Sequence, residues 1–125
     1  MKLKFRAWLK KEQKMDTYID HISWLEDELY CIGDGITYMV SAEDLELMQS
    51  TAMVDRDGRI IFEGDIVKMS KDVYSEPTYY EVVRHYGGAY RLESKQHGCE
   101  LWLRHTDCEV VGNVYENREL LEDKE

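Results

Sequence analysis

A mainly β fold follows from three observations in the middle of the chain. Residues 47–69 read as strand, tight turn, strand, second tight turn and strand, with almost no slack between them. Asp55, Asp57 and Gly58 tolerate left-handed or side-chain-bonded backbone and have apolar residues on both sides, the local signature of a hairpin reversal near Arg56 to Arg59. Beyond it, Ile60, Ile61 and Phe62 are β-formers, Glu63-Gly64 interrupts them, and Asp65-Ile66-Val67-Lys68-Met69 mixes polar and apolar residues as a partly buried strand requires. A Gly-Asp-apolar-Val step into a strand is common where small barrels change direction sharply, so Gly64 is expected at a bulge or bend. The predicted architecture is a small, strongly bent sheet or SH3-like partly open barrel with one or two short helices.

The remaining elements fit that frame in order. Leu3 to Leu9 is a strand, the polar run Lys10-Lys11-Glu12-Gln13-Lys14 a loop, and Met15 to Leu25 a further strand or strand pair. Glu26-Asp27-Glu28 breaks the pattern, Leu29 to Ile32 is a short apolar run, and Gly33-Asp34-Gly35 turns the chain into Ile36 to Val40. Ser41, with Asp44 three residues on, offers an N-cap and a first-turn acid for one helical turn through Leu47, a stretch that equally suits a loop. Val73 to Pro77 reads as an exposed loop. Tyr79 to Tyr86 and Ala89 to Glu93 form a hairpin around Gly87-Gly88, and Glu100 to Arg104 and Glu109 to Tyr115 supply the closing strands. Asn117 stands where it would cap a last short helix carrying Leu120 and Leu121.

Three separated segments carry a family resemblance. Phe5-Arg6-Ala7-Trp8, the block from Leu47 to Lys68, and Glu109 to Asn117 followed by Glu119-Leu120-Leu121 together resemble the YopX family of phage and prophage proteins. The family opening is Phe-Arg-Ala-Trp-Asp, and here Leu9 takes the fifth place. Before the turn the family usually has Thr-Gly-Leu, where this chain has Thr51-Ala52-Met53. Near the end it usually has Asn-Pro-Glu-Leu, where this chain has Asn117-Arg118-Glu119-Leu120. None of these differences removes a reactive group, so they bear on local geometry. The resemblance implies a small, mostly β protein in a phage setting and no mechanism.

Composition points to one compact domain over residues 1–125, with an acidic tail from about residue 116. A chain of 125 residues that is 43% apolar buries roughly two thirds of its unfolded surface, enough for a core without staples. Pro77 is the single proline, and no Ser/Gly-rich linker divides the chain. No apolar run approaches the ~20 residues that cross a bilayer, and Met-Lys-Leu-Lys-Phe-Arg leads into charge, so the expected location is the cytoplasm of a bacterial host cell. Cys31, Cys99 and Cys108 are odd in number and widely spaced, which suits reduced thiols.

Metal, catalytic and nucleic-acid chemistry each find little support. His97, Cys99, His105 and Cys108 are zinc-ligand types close in sequence, but a Cys-x-x-Cys knuckle is missing and a spacing of three from His105 to Cys108 leaves the pair on different faces of a strand. Packed or exposed hairpin residues are the expected reading, and no cofactor is expected. Glu63 and Asp65 would share a strand face, yet Asp65 bonding the backbone of the Gly64 turn explains it better than acid-base catalysis does. Asp55-Arg56-Asp57-Gly58 lacks the later acids of a calcium loop. With 26 Asp and Glu against 16 Lys and Arg, a formal charge of −10, the chain is poorly built to grip phosphates. Lys2, Lys4, Arg6, Lys10 and Lys11 would make a basic strip on one edge, where lysines more often guard a terminal strand. Tyr79, Tyr80, Tyr86 and Tyr90 would offer stacking surface.

A protein-binding module fits these features best: non-enzymatic, engaging a basic host or phage protein, with Tyr79, Tyr80, Tyr86 and Trp102 as the exposed aromatics expected to make contact. The alternative is a self-associating structural protein that forms a homo-oligomer. A metal-dependent nuclease ranks third.

Overall fold

The computed structural model describes residues 4–19, 21–26, 29–34, 36–69, 77–85, 88–94 and 98–121, and between Tyr18 and Ala42 mostly the backbone alone. The fold is mainly β. Contacts group the chain into two compact units, residues 1–50 and 51–125.

In the first unit, β1 (Phe5–Leu9) lies between β2 (Lys14–Ile19) and the first half of β6 (Leu45–Val54). The register sets Leu9 opposite Lys14 on one side and opposite Leu45 on the other. Gln13 closes the β1–β2 turn at φ 52, and its side-chain amide donates to the Lys10 carbonyl at 2.8 Å. Ala7, Leu9 and Leu45 are buried together, with Ile19 and Leu47 packed on them. Buried Ser50 fastens the start of β1, since its amide donates to the Lys4 carbonyl (2.7 Å) and its hydroxyl accepts the Lys4 amide (2.9 Å). The stretch from Met15 to Leu25 divides into β2 and β3 (His21–Glu26). β3, β4 (Leu29–Asp34) and β5 (Ile36–Ser41) make an antiparallel three-stranded meander with Cys31 paired to Ser23 and Met39.

The helical turn predicted through Leu47 ends earlier. Ala42–Asp44 forms a 3-10 turn, and the Ser41 side chain makes no capping hydrogen bond. Pairing with β1 is the reason: Leu45, Glu46 and Leu47 are taken up opposite Leu9, Trp8 and Ala7, so extended backbone begins at Leu45.

In the second unit, β7 (Ile60–Phe62) follows the end of β6 through the turn at Asp55 to Arg59. The Asp55 amide donates to the Arg59 carbonyl at 2.8 Å, and Gly58 sits at φ 83. The Glu63-Gly64 reversal then leads into β8 (Asp65–Met69), with Gly64 at φ 86, its amide on the Val82 carbonyl and its carbonyl receiving the Val114 amide, both at 2.9 Å. A side chain at that φ would be strained, which is why a glycine stands there. Asp65 does bond the backbone of this turn, and the amide it accepts is that of Phe62, at 2.8 Å. A five-stranded antiparallel sheet runs β11-β10-β9-β8-β12, with β9 (Thr78–Arg84), β10 (Tyr90–Glu93), β11 (Gly98–Glu100) and β12 (Glu109–Asn113). One face buries Val67, Met69, Tyr80, Val82, Tyr90 and Leu92 together with Ile61, Leu101 and Cys108. Strand alternation sends Tyr79 and Glu81 to the other face.

One expectation at the end of the chain changes and another is met. The strand expected over Glu100 to Arg104 stops at Glu100, the last residue of β11: Leu101–Arg104 makes one turn of helix, α1, closed by the His105 amide on the Leu101 carbonyl. Three large residues in a row, Leu101-Trp102-Leu103, would reach both faces of a strand, whereas the helical turn buries Leu101 alone. A 3-10 turn at Arg118–Leu121 carries Leu120 and Leu121 as expected. Its entry is held by the Asn117 carbonyl, which receives the Leu120 amide at 2.9 Å, while the Asn117 side chain accepts the Asn113 amide at 3.2 Å. Residues 116–121 are therefore tied to β12, and 122–125 lie outside the described residues.

Ala52 has φ 65 inside β6, a left-handed backbone that L-residues avoid. The Thr51 hydroxyl bridges this irregularity, accepting the Met53 amide (3.2 Å) and donating to the Ile61 carbonyl (2.8 Å). Ala52→Gly is expected to raise stability by about 0.5–1 kcal/mol, because relief of the methyl clash outweighs the added freedom of the unfolded chain. A shift of the urea midpoint at constant slope measures it.

Candidate functional site

The four aromatics expected at the surface separate. Trp102 is 63% exposed, and its neighbour Leu103 is 57% exposed. Tyr79 is half-buried on β9 opposite Lys68. Tyr80 is only 8% exposed, a correction that follows from alternation: with Tyr79 turned to one face, Tyr80 must point into the core beside Val67 and Val82. Burial pushes the Tyr80 hydroxyl above its ordinary range, with the Cys99 and Cys108 thiols adding to that and Arg104 opposing it. Tyr86 lies outside the described residues. Tyr90 is buried, so it offers no stacking surface.

α1 owes its position to what surrounds it. Leu101 is fully buried and fixes the turn to the core. Next comes a 3-10 turn, His105–Asp107, whose first carbonyl receives the Cys108 amide at 3.2 Å. His105 Nδ1 is 2.8 Å from the Val54 carbonyl, and since a carbonyl only accepts, the proton sits on Nδ1. The Cys108 thiol donates to the Arg104 carbonyl at 3.3 Å, and burial pushes its pKa up to about 12. Cys99 is likewise raised, chiefly by burial. Both are free thiols. Of the four zinc-type residues, His97 is outside the described residues and the other three have these packing and hydrogen-bonding roles. Among the described residues, no group of three or more His, Cys, Asp or Glu is placed to hold a metal.

Charges near α1 are largely paired. Arg104 Nε donates to Asp107 at 2.9 Å, while Arg91 donates to Glu100 at 2.7 Å and to Glu93 at 3.2 Å. Glu93 lies directly opposite Glu81 across β9 and β10. Burial raises the Glu81 carboxyl above its ordinary range, and the Glu93 charge adds to that while Arg118 opposes it. A raised carboxyl pKa means the folded state holds its proton longer than the unfolded chain, so stability is lost as pH rises through the glutamate range. Glu81→Gln is therefore expected to raise the Tm at pH 7 by on the order of 1–3 °C and to leave it unchanged near pH 4, a comparison for calorimetry at both pH values.

The basic strip expected near the start of the chain is not a free surface. Arg6 is 8% exposed, Lys10 pairs with Glu46 at 3.2 Å, and Lys11 pairs with Asp44 at 3.3 Å. Lys4 is exposed, and Lys2 is outside the described residues. No described helix is long and apolar enough to cross a membrane.

Comparison with known proteins adds the following. A family model described as YopX protein matches residues 4–122. No curated protein matches the chain. Among solved structures, protein EF1440 from Enterococcus faecalis is 25% identical, with a TM-score of 0.66 over 98% of this chain and 99% of that one. Protein yopX from Bacillus subtilis is 21% identical, with a TM-score of 0.68 over 94% of this chain and 97% of that one, a likeness of fold.

Proposed function

For a chain that belongs to the YopX protein family, we propose a phage or prophage accessory role: a non-enzymatic module that binds a basic protein. The observation that carries this is the combination of a formal charge of −10 with a tryptophan held 63% in solvent. Tryptophan buries a large area while ordering few torsions, which makes it a favoured interface anchor. The negative charge steers basic surfaces towards the protein and repels nucleic acid.

Steering by charge makes binding sensitive to salt, because the Debye length is only about 8 Å near physiological ionic strength. Immobilised protein is expected to retain basic proteins from host or phage-infected lysate at low salt and release them as salt rises. Retention of nothing at low salt would overturn the reading. Sedimentation separates it from self-association: a monomer at micromolar concentration supports hetero-binding, and a closed ring or larger assembly supports the structural alternative.

A further inference from the structure

The two long edges of the five-stranded sheet are finished differently. At the β12 edge, Val110 is covered: its amide donates to Asp55 Oδ2 at 2.9 Å, and its carbonyl accepts from the Arg59 guanidinium at 3.0 Å. On the same strand side, the Cys108 carbonyl receives the Arg56 amide at 2.9 Å. At the other end the sheet stops at β11, beside which no further strand lies among the described residues. Exposed Gly98 has no side chain, and the Glu100 charge is drawn back onto Arg91 at 2.7 Å. Among the described residues, neither a free charge nor a proline blocks this edge, the usual defences of an unpaired strand. Just past β11, after buried Leu101, come Trp102 and Leu103, the large apolar side chains that stand out in solvent among the described residues.

We infer that the β11 edge and the Trp102–Leu103 pair form one docking site, which takes an extended lysine- or arginine-bearing segment of another protein as an added strand. Main-chain pairing supplies affinity in this mode, and alternate side chains supply specificity. The inference rests on the protein-binding reading above and names its place. Charge decides the occupant. A second copy brings another −10, and the two exposed apolar side chains offer only a few hundred Å², against roughly 800 Å² per partner in a stable interface. Nucleic acid and anionic membrane carry the same sign as the protein. A basic segment is the occupant that gains from both the charge and the open edge.

The test uses a short synthetic peptide alternating valine and lysine, the same peptide with N-methylated backbone, and a valine–glutamate counterpart. The whole chain is expected to bind the lysine peptide, with slowed hydrogen exchange at the Gly98 and Glu100 amides, which alternate with inward-paired Cys99, and a shifted Trp102 indole resonance. Affinity is expected to fall about tenfold for N-methylated peptide and for the double variant Trp102→Ala, Leu103→Ala, and the glutamate peptide is expected not to bind. Both replaced side chains are exposed, so an unchanged Tm shows that the variant remains folded. Equal affinity of the double variant, or no added protection at Gly98 and Glu100, overturns the site while binding of the lysine peptide leaves the broader reading standing. No binding by the wild type at low salt overturns both. A wild-type dimer that the double variant dissolves assigns the patch to a second copy and overturns the inference.

Discussion

Asp55→Ala is expected to destabilise the protein by about 3 kcal/mol or more, read from the urea midpoint, because it leaves three backbone donors without their acceptor. Asp55 is 3% exposed, and its carboxylate accepts the amides of Asp57 (2.9 Å), Arg59 (2.8 Å) and Val110 (2.9 Å). One side chain thus closes the turn between β6 and β7 and fixes that turn to β12. Asp55→Asn should be milder, because Oδ1 still serves Asp57 and Arg59 while only the Val110 donor now meets an amide group. The pH dependence carries the same signature. Burial works to raise the Asp55 carboxyl, and the three amides with the Arg59 charge outweigh it, so the net effect is a lowered pKa. A lowered carboxyl pKa contributes stability that is complete above the ordinary aspartate range, from about pH 4, and is lost as pH falls through the folded value. The Asn variant lacks this component, so its stability curve should be flatter below pH 4 than that of the wild type.

Leu101→Ala is the second large effect, expected to cost about 2–4 kcal/mol through lost burial and the cavity left behind. Leu101 is fully buried among Ile61, Leu92 and Cys108 on the inner face of the sheet. Its neighbour gives the control within one helical turn: Trp102→Ala removes a larger side chain yet is expected to change stability by less than about 0.5 kcal/mol, because that side chain stands in solvent. Thermal or urea unfolding of the two variants side by side separates what holds α1 in place from what α1 presents. A comparable loss in both would mean that Trp102 packs against the protein.

Much of the fold was legible because turn chemistry is local. The reversals at Gly58 and Gly64 stand where the Asp-Gly and Glu-Gly-Asp steps placed them, with both glycines at positive φ. The β9–β10 hairpin also pairs as its residues imply, Arg84 opposite Tyr90. The misreadings arise where a distant partner decides. The stretch through Leu47 suits a helical turn or a loop by its own sequence, and β1 claims Leu45 to Leu47 through a pairing some forty residues away. Glu100 to Arg104 looked like a strand because Leu-Trp-Leu favours extended backbone, and the burial of Leu101 alone could not be seen without the sheet. Tyr80 was assigned to the surface since nothing local told it from Tyr79; only the face of β9 that meets the core does so. An alanine at position 52 gives no local sign of a positive φ inside a strand, so its left-handed backbone emerges only with the structure.

The Asp55 carboxylate also serves as a stopper. By taking the Val110 amide, while Arg59 takes the Val110 carbonyl, it closes one side of the sheet to further growth. Strong acid removes the charge that keeps this stopper seated, so fibrillar stacking along β12 becomes available to chains that are still mostly native. Acid storage, more than heating at neutral pH, is thus the condition under which this protein is expected to seed ordered aggregates.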